Sequence, residues 1–182
     1  MSTFEYVSVL LAIVMSLALA HVLTGLAEVI RAKKVRFSLL HSGYVGLILF
    51  CCVDYWFSMW YQRNLESWAL WYVALLLLLA AILYVAAWLV VPDIEADGTV
   101  DLVAFDNANR RKYIAALFVY IAVAVAVNLS IAAFQWAVLI NFGTLIMLGT
   151  AWLWQDKRVQ WVCLAGIYAL WAYYTAMFLP PL

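Results

Sequence analysis

Asp54 is the residue of this chain whose type and surroundings most favour chemistry. It lies within a long apolar run, where a carboxylate costs about 2.5–3.5 kcal/mol on insertion scales. At helical spacing it shares one face with five other polar or polarisable side chains. These are His41, Tyr44, Cys51, Ser58 and Tyr61. A carboxyl group on such a face can exchange protons or bind a cation, so the run predicts one wall of a path for a proton, an ion or a small polar ligand.

A structural role would also account for Asp54. If its carboxyl group is uncharged, it can hydrogen-bond to Asn128, Asn141 or a tyrosine, all of which are predicted at a similar depth. Such a polar contact would join helices without binding anything else. Both interpretations remain open from the sequence.

A second group of candidate residues lies towards the other end of the predicted helices. His21, Thr24 and Glu28 recur at helical spacing on the first run, and His41 begins the second run at nearly the same depth as Glu28. A histidine–carboxylate cluster is one hypothesis, since imidazole titrates near neutral pH. The alternative is that Glu28 forms an ion pair with a neighbouring basic side chain or with His41.

No established catalytic or cofactor signature accompanies these residues. The apolar runs contain no lysine for a retinal Schiff base, and the chain has neither a phosphate-binding glycine loop nor a Gly-x-Ser-x-Gly elbow. His21 and His41 differ in predicted depth, which disfavours ligation of a haem by two histidines. The cysteines lack further ligands at the spacing of zinc or copper sites. We therefore expect no catalytic residue, no metal and no cofactor, and no binding of nucleic acid.

Composition places these residues in a membrane. The chain of 182 residues is 70% hydrophobic and 11% charged, with a mean hydropathy of +1.02, so lipid must be part of its solvent. A transmembrane helix needs about 20 mostly apolar residues. The sequence predicts a single all-α domain, 1–182, a polytopic bundle of six transmembrane helices. The predicted spans are roughly 5–30, 38–61, 67–91, 113–133, 135–154 and 159–179.

The basic residues predict an orientation. All but Arg63 of the ten Lys and Arg residues lie in the segments 31–37, 92–112 and 155–158. Short loops rich in Lys and Arg remain in the cytoplasm, which predicts that both termini lie outside it. The cytoplasmic loop 92–112 contains a turn signal at Asp97-Gly98-Thr99 and is expected to form a small hairpin or capped loop.

Three segments resemble an uncharacterised group of small bacterial inner-membrane proteins. They are Phe4 to Leu10, His21 to Leu26 followed by a basic turn, and the loop from Asp101-Leu102 to Asn109-Arg110-Arg111. The resemblance implies a multi-pass protein of the bacterial inner membrane, with six spans. It implies no activity.

Two main hypotheses from different classes follow. The first is a homo-oligomeric membrane protein with a polar pathway or binding site along the second helix, since six spans alone form a narrow bundle. The rival is a non-transporting scaffold or accessory subunit that docks onto a larger membrane complex, a hypothesis supported by the 16% aromatic content. Membrane lipid is an expected partner in both. A membrane enzyme that acts on lipid is a third option, although the sequence shows no nucleophile and base that converge.

Overall fold

The computed structural model describes residues 3–63, 65, 68–94, 96, 98–131 and 136–178. These residues form six helices and two short strands, so the all-α class predicted from the sequence is confirmed. The helices are α1 Thr3–Arg31, α2 Leu39–Tyr61, α3 Leu70–Val90, α4 Leu102–Ile131, α5 Trp136–Leu153 and α6 Lys157–Phe178. The strands are β1 Lys34–Arg36 and β2 Thr99–Asp101.

Four helical segments in the described part of the chain are long and apolar enough to cross a membrane. They are Thr3–Arg31, Leu39–Trp60, Leu70–Val90 and Leu102–Leu129. The apolar part of α5, Val138–Leu153, is shorter than such a span. These helices support an integral membrane protein, whereas six crossings and the location of the termini remain predictions.

The fourth helix begins at Leu102 rather than at residue 113, the start of the predicted span. The carboxylate of Asp101 caps its first turn, where Oδ1 accepts the backbone N–H groups of Val103 and Ala104, each at 2.9 Å. The second half of the predicted loop 92–112 is therefore helical. The predicted span ends at 67, 133, 135 and 179 lie outside the described residues.

The two strands pair across a long separation in sequence. Strand β1 runs parallel to β2, with Lys34 opposite Thr99 and Arg36 opposite Asp101. The Arg36 guanidinium also donates to the Asp101 carboxylate at 3.2 Å. The sequence predicted a small hairpin or capped loop within 92–112, and the structure pairs residues 99–101 with the segment that joins α1 to α2. Of this loop, residues 95 and 97 lie outside the described part.

The chain divides into two compact units, Met1–Tyr113 and Ile114–Leu182, with the boundary inside α4. In the first unit α1, α2 and α3 pack against one another. The buried side of α1 is a stripe with a spacing of three or four residues, as expected when one helix face contacts protein. Gly25 lies in this stripe against Val91, and there is no room for a Cβ atom there. The stripe residues are Val7, Leu11, Met15, Ala18, Val22 and Gly25.

In the second unit α5 packs against α6. The indole of Trp171 donates to the hydroxyl of Thr144 at 3.0 Å, and both side chains are buried. The fully buried amide of Gln160 donates to the carbonyls of Ala151 at 2.5 Å and Trp154 at 2.8 Å. These bonds satisfy carbonyl groups that the end of α5 leaves without a helical partner.

Candidate functional site

The polar stripe of α2 is closed in one half and more open in the other. The first half is packed inside the first unit, since His41, Tyr44 and Cys51 are 3%, 0% and 1% exposed. Asp54 and Ser58, further along the helix, are half-buried. The side chain of Tyr61 lies outside the described part. A polar ligand could therefore approach the Asp54 half of the stripe and not the His41 half.

Asp54 has no hydrogen-bond or ion-pair partner among the described residues of the first unit. Nearby polar groups on the same helix already have partners in the protein. The Ser58 hydroxyl donates to the carbonyl of Tyr55 at 2.7 Å, and the Tyr55 hydroxyl donates to the carbonyl of Leu76 on α3 at 2.9 Å. The carboxyl group of Asp54 is thus available to a proton, a cation or a donor from elsewhere.

A buried ion pair lies at the opposite end of α2, where α4 begins. Asp106 accepts hydrogen bonds from Nε of Arg110 at 3.1 Å and also from its Nη2. The second carboxylate oxygen of Asp106 accepts from the hydroxyl of Tyr113. The side chains of Asp106 and Arg110 are only 2% and 6% exposed. Every oxygen of this carboxylate is therefore bonded inside the protein, as stability requires of a buried charge.

His41 connects α2 to both α3 and the ion pair. Its Nε2 atom lies 2.8 Å from the carbonyl oxygen of Val90, and because that oxygen can only accept, Nε2 carries the hydrogen. The ring meets Phe105 and Tyr113 edge-on, with centroids 5.6 and 6.4 Å apart. Tyr44, one turn along α2, packs its ring 5.3 Å from that of Tyr113. These contacts make the His41 half of the stripe part of the core.

The predicted cluster of His21, Thr24, Glu28 and His41 is not joined by hydrogen bonds or ion pairs in the described part of the chain. His21 stacks on Trp88 of α3, with ring centroids 4.5 Å apart and planes at 12°. Its Nε2 atom is buried without a partner in the described part. Thr24 and Glu28 are exposed. His41 packs instead against Tyr113, whose hydroxyl donates to the carboxylate of Asp106.

The remaining predicted site residues lie in the second unit. Asn128 is exposed and Asn141 is half-buried. The suggested hydrogen bond between either amide and Asp54 remains a prediction.

The three cysteines, Cys51, Cys52 and Cys163, are free and buried. Among the described residues, no group of three or more His, Cys, Asp or Glu side chains is placed to hold a metal ion.

Sequence reasoning missed the Asp106–Arg110–Tyr113 cluster. The three residues stand at i, i+4 and i+7, which places them on one helix face. The sequence places Asp106 and Arg110 in the predicted cytoplasmic loop and Tyr113 at the start of the fourth predicted span. The helical spacing of an acid, a base and a tyrosine was the signal that could have revealed the cluster.

In the described part of the chain, the fold and this site define an all-helical membrane protein in which the carboxylate of Asp106 is neutralised by an ion pair in the core, whereas the half-buried carboxyl group of Asp54 is unpaired on an apolar helix. The pair leaves no free oxygen for a ligand, whereas Asp54 does. Comparison with protein-family models, with curated proteins and with solved structures gives no match. The resemblance to small bacterial inner-membrane proteins therefore remains a prediction.

Proposed function

We propose that the protein is a multi-pass protein of the bacterial inner membrane that provides a site or path for a proton, an ion or a small polar ligand along α2. Asp54 is the residue that binds the ion or ligand or exchanges the proton. The observation that carries this proposal is that Asp54 is half-buried on a membrane-type helix without a partner in the described part of the first unit.

Among the described residues of the first unit, Asp54 lacks the partner that a purely structural acid within a membrane requires. A carboxylate that only stabilises a fold is paired, because an unpaired one within hydrocarbon costs about 2.5–3.5 kcal/mol on insertion scales. A second membrane helix, a bound cation or a proton would lower that cost. Ser58, whose hydroxyl is already bonded to Tyr55, offers no free donor. The partner of Asp54 therefore comes from outside the contacts of the first unit.

The proposal includes six crossings, both termini outside the cytoplasm and assembly into a homo-oligomer. A six-helix chain of 182 residues has little interior of its own, so a path is more easily formed between several copies. Reporter tags at the two ends test the topology. Both tags should be accessible from outside the cytoplasm, and an inaccessible tag would contradict this part of the proposal.

Asp54→Asn tests the proposal directly. The protein is reconstituted in vesicles, a membrane potential is imposed, and ion or proton flux is recorded with an internal dye. We expect flux with the natural protein and its loss in the variant, while the assembly by size-exclusion chromatography stays unchanged. Asp93→Asn is the matched control, because it removes one exposed carboxylate from the segment after α3 and should leave flux intact. Equal flux for the natural protein and Asp54→Asn contradicts the proposal.

A non-transporting scaffold is the second candidate function. The observation that favours it is the dense packing of His41, Tyr44 and Cys51, which closes half of the α2 stripe. Mass spectrometry after mild detergent extraction separates the two candidates. Copies of this chain alone support the pathway, whereas a foreign membrane protein in fixed ratio supports the scaffold.

A further inference from the structure

Asp54 is the only acid on its helix. The sequence of α2 contains no other carboxylate and no lysine or arginine, and that of α3, which packs against α2, contains no charged residue. On α1, the other neighbour of α2, all titratable side chains but one are exposed, and the exception, His21, stacks on Trp88 near the far end of α3. The titratable side chains of α1 are Glu5, Tyr6, His21, Glu28 and Arg31.

The side chains one helical turn from Asp54 are apolar or already bonded. Phe50 and Phe57 place aromatic rings on either side of it along α2. The thiol of Cys51 is buried, and the hydroxyl of Ser58 donates to a carbonyl of the same helix at 2.7 Å. The immediate surroundings of the carboxyl group on α2 are therefore poor in groups that would bind a polar ligand.

The tyrosines at the contact of α2 with α3 add no charge beside Asp54. The hydroxyl of Tyr55 donates to the carbonyl of Leu76 at 2.9 Å, and Tyr72 is buried. The remaining tyrosine of α3, Tyr84, accepts a hydrogen bond from the indole of Trp88 at 2.9 Å. Phenols and thiols are uncharged at neutral pH, so Asp54 is the group of this region that changes its charge there.

The backbone near Asp54 offers no carbonyl oxygen to a cation either. Helix α2 is uninterrupted from Leu39 to Tyr61, and α1 and α3 are likewise uninterrupted over Thr3–Arg31 and Leu70–Val90. In such a helix each carbonyl points along the axis and accepts the N–H four residues further on. Further copies of the chain would bring the same uninterrupted helices, so assembly adds no backbone ligands from them.

A metal cation and a proton differ in how many oxygen atoms they need. Ca²⁺ and Mg²⁺ take about six to eight oxygen ligands, K⁺ is held by rings of backbone carbonyls, and Na⁺ binds where a membrane helix is unwound. A polar organic ligand needs several placed donors and acceptors. A proton needs one oxygen atom, and it leaves the carboxyl group uncharged, which lowers the cost of holding that group in an apolar span.

We propose that Asp54 exchanges a proton, and that neither a metal cation nor a polar organic ligand binds there. The inference rests on the proposed function and narrows it to one substrate. An O–H bond forms on one carboxylate oxygen of Asp54 when a proton arrives from water on one side of the membrane. The same bond breaks when the proton leaves to water on the other side, and no other bond changes.

Labelling of Asp54 in the presence of cations tests the inference at the site itself. A hydrophobic carbodiimide adds to a protonated carboxyl group, whereas a bound cation would keep the carboxylate charged. The rate of adduct formation on Asp54 is measured by mass spectrometry in N-methylglucamine chloride and, at equal pH and ionic strength, in the chlorides of sodium, potassium, magnesium and calcium. We expect equal rates in all five solutions and a slower rate as the pH is raised, because fewer carboxyl groups then carry a proton.

Two outcomes of the labelling would overturn the inference. A rate that falls severalfold with one of the cations would show that this cation binds at Asp54, and the proposed path for an ion would still stand. Absence of an adduct on Asp54 in every solution would show that the carboxyl group carries no proton.

Two ionophores show which ion crosses the membrane. Vesicles loaded with potassium are diluted into N-methylglucamine, and an internal dye follows pH. Valinomycin sets a negative internal potential, so the dye then reports protons that enter through the protein. When a protonophore replaces valinomycin, the pH changes only if the protein itself releases potassium, and sodium-loaded vesicles test sodium in the same way. We expect acidification above the protein-free rate with valinomycin and none with the protonophore.

The same assay separates failure of the inference from failure of the proposed function. Acidification above the protein-free rate with the protonophore would overturn the inference and leave a path for an ion in place. No acidification with either ionophore would contradict the proposed function as well.

Two substitutions of Asp54 distinguish an exchangeable proton from an oxygen ligand. The amide of Asp54→Asn can still bind a hard cation through its oxygen but cannot exchange a proton, whereas Asp54→Glu keeps the exchangeable group. We expect proton entry with valinomycin to fall to the protein-free rate in Asp54→Asn and to remain measurable in Asp54→Glu, with the assembly of both unchanged by size-exclusion chromatography. Asp93→Asn, which alters an exposed carboxylate after α3, should behave as the natural protein does. Natural rates in Asp54→Asn, or equal losses in Asp54→Asn and Asp93→Asn, would overturn the inference.

Discussion

Asp54 and Asp106 both lie on membrane-type helices of the first unit, and their surroundings differ in almost every respect. Asp106 is 2% exposed and bonds to Arg110 and Tyr113 from its own helix. Asp54 is half-buried and has no such partner in the described part of that unit. The charge of Asp106 is therefore neutralised within the first unit, whereas Asp54 has no partner among the described residues of that unit.

The difference between the two surroundings predicts a structural role for Asp106 and a functional role for Asp54. Removal of one member of a buried pair exposes the other to the full cost of desolvation, so Asp106 should be required for stability. Replacement of an unpaired acid on an apolar helix removes a cost and no bond, so Asp54 should be dispensable for stability. Measurements of stability can therefore test the difference between Asp54 and Asp106 without knowledge of the ligand.

The largest expected effect is at the buried pair. Asp106→Ala leaves the Arg110 guanidinium buried without a carboxylate, and we expect a loss of about 3–5 kcal/mol in the free energy of unfolding. Denaturant titration in detergent micelles measures it. The double variant Asp106→Leu, Arg110→Met removes both charges and should lose less than the single variant. A single variant as stable as the natural protein would contradict the structural role.

The next effect has the opposite sign. Asp54→Leu replaces an unpaired acid by an apolar side chain on a helix that is already apolar, so we expect stability to rise, by up to about 2.5 kcal/mol. The same titration measures it. If Asp54→Leu destabilises the protein as strongly as Asp106→Ala does, then Asp54 has a structural partner and the comparison fails.

The two histidines provide a smaller version of the same comparison. His41→Phe deprives the carbonyl of Val90 of its donor at 2.8 Å, and we expect a loss of about 1–3 kcal/mol. His21→Phe keeps a ring that can stack on Trp88 and removes a nitrogen atom that has no partner in the described part. It should be neutral or slightly stabilising. If the thermal midpoints of the two variants fell equally, the hydrogen bond of His41 to Val90 would not distinguish the two histidines.

The smallest effect concerns the sheet. The backbone N–H of Ala104, followed by the Arg36 guanidinium, holds the pKa of Asp101 below its ordinary value of 3.8. The contribution of Asp101 to stability is therefore fully present above that ordinary value and is lost as the pH falls through the lower pKa of the folded state. Thermal midpoints between pH 5 and pH 2, roughly the acid range over which a paired aspartate titrates, should fall less in Asp101→Asn than in the natural protein. Parallel pH profiles would contradict this role.

The helical framework could be predicted because its signals are local. Long apolar runs fix where α1, α2 and α3 lie, and the structure ends α2 at Tyr61 as expected. The start of α4 could not be read from hydropathy, because its first turns are polar and are stabilised by the cap from Asp101. The pairing of β1 with β2 joins residues about 65 positions apart, and no short-range pattern specifies such a contact.

The candidate site was only partly visible in the sequence. Asp54 was identified because a charge within an apolar run stands out. Asp106 and Arg110 were not identified, because the predicted loop 92–112 contains several other acidic and basic residues and the sequence does not show which of them pair. The contacts that distinguish a core pair from exposed charges arise from packing against α2, where His41 and Tyr44 meet Tyr113.

The most direct test of the account is the reactivity of the two carboxyl groups towards a hydrophobic carbodiimide, which adds to protonated acids in apolar surroundings. The labelled protein is digested, and the modified peptides are identified by mass spectrometry. We expect an adduct on Asp54 at neutral pH and none on Asp106, whose oxygens are bonded to Arg110 and Tyr113. An unlabelled Asp54, or equal labelling of both acids, would contradict it.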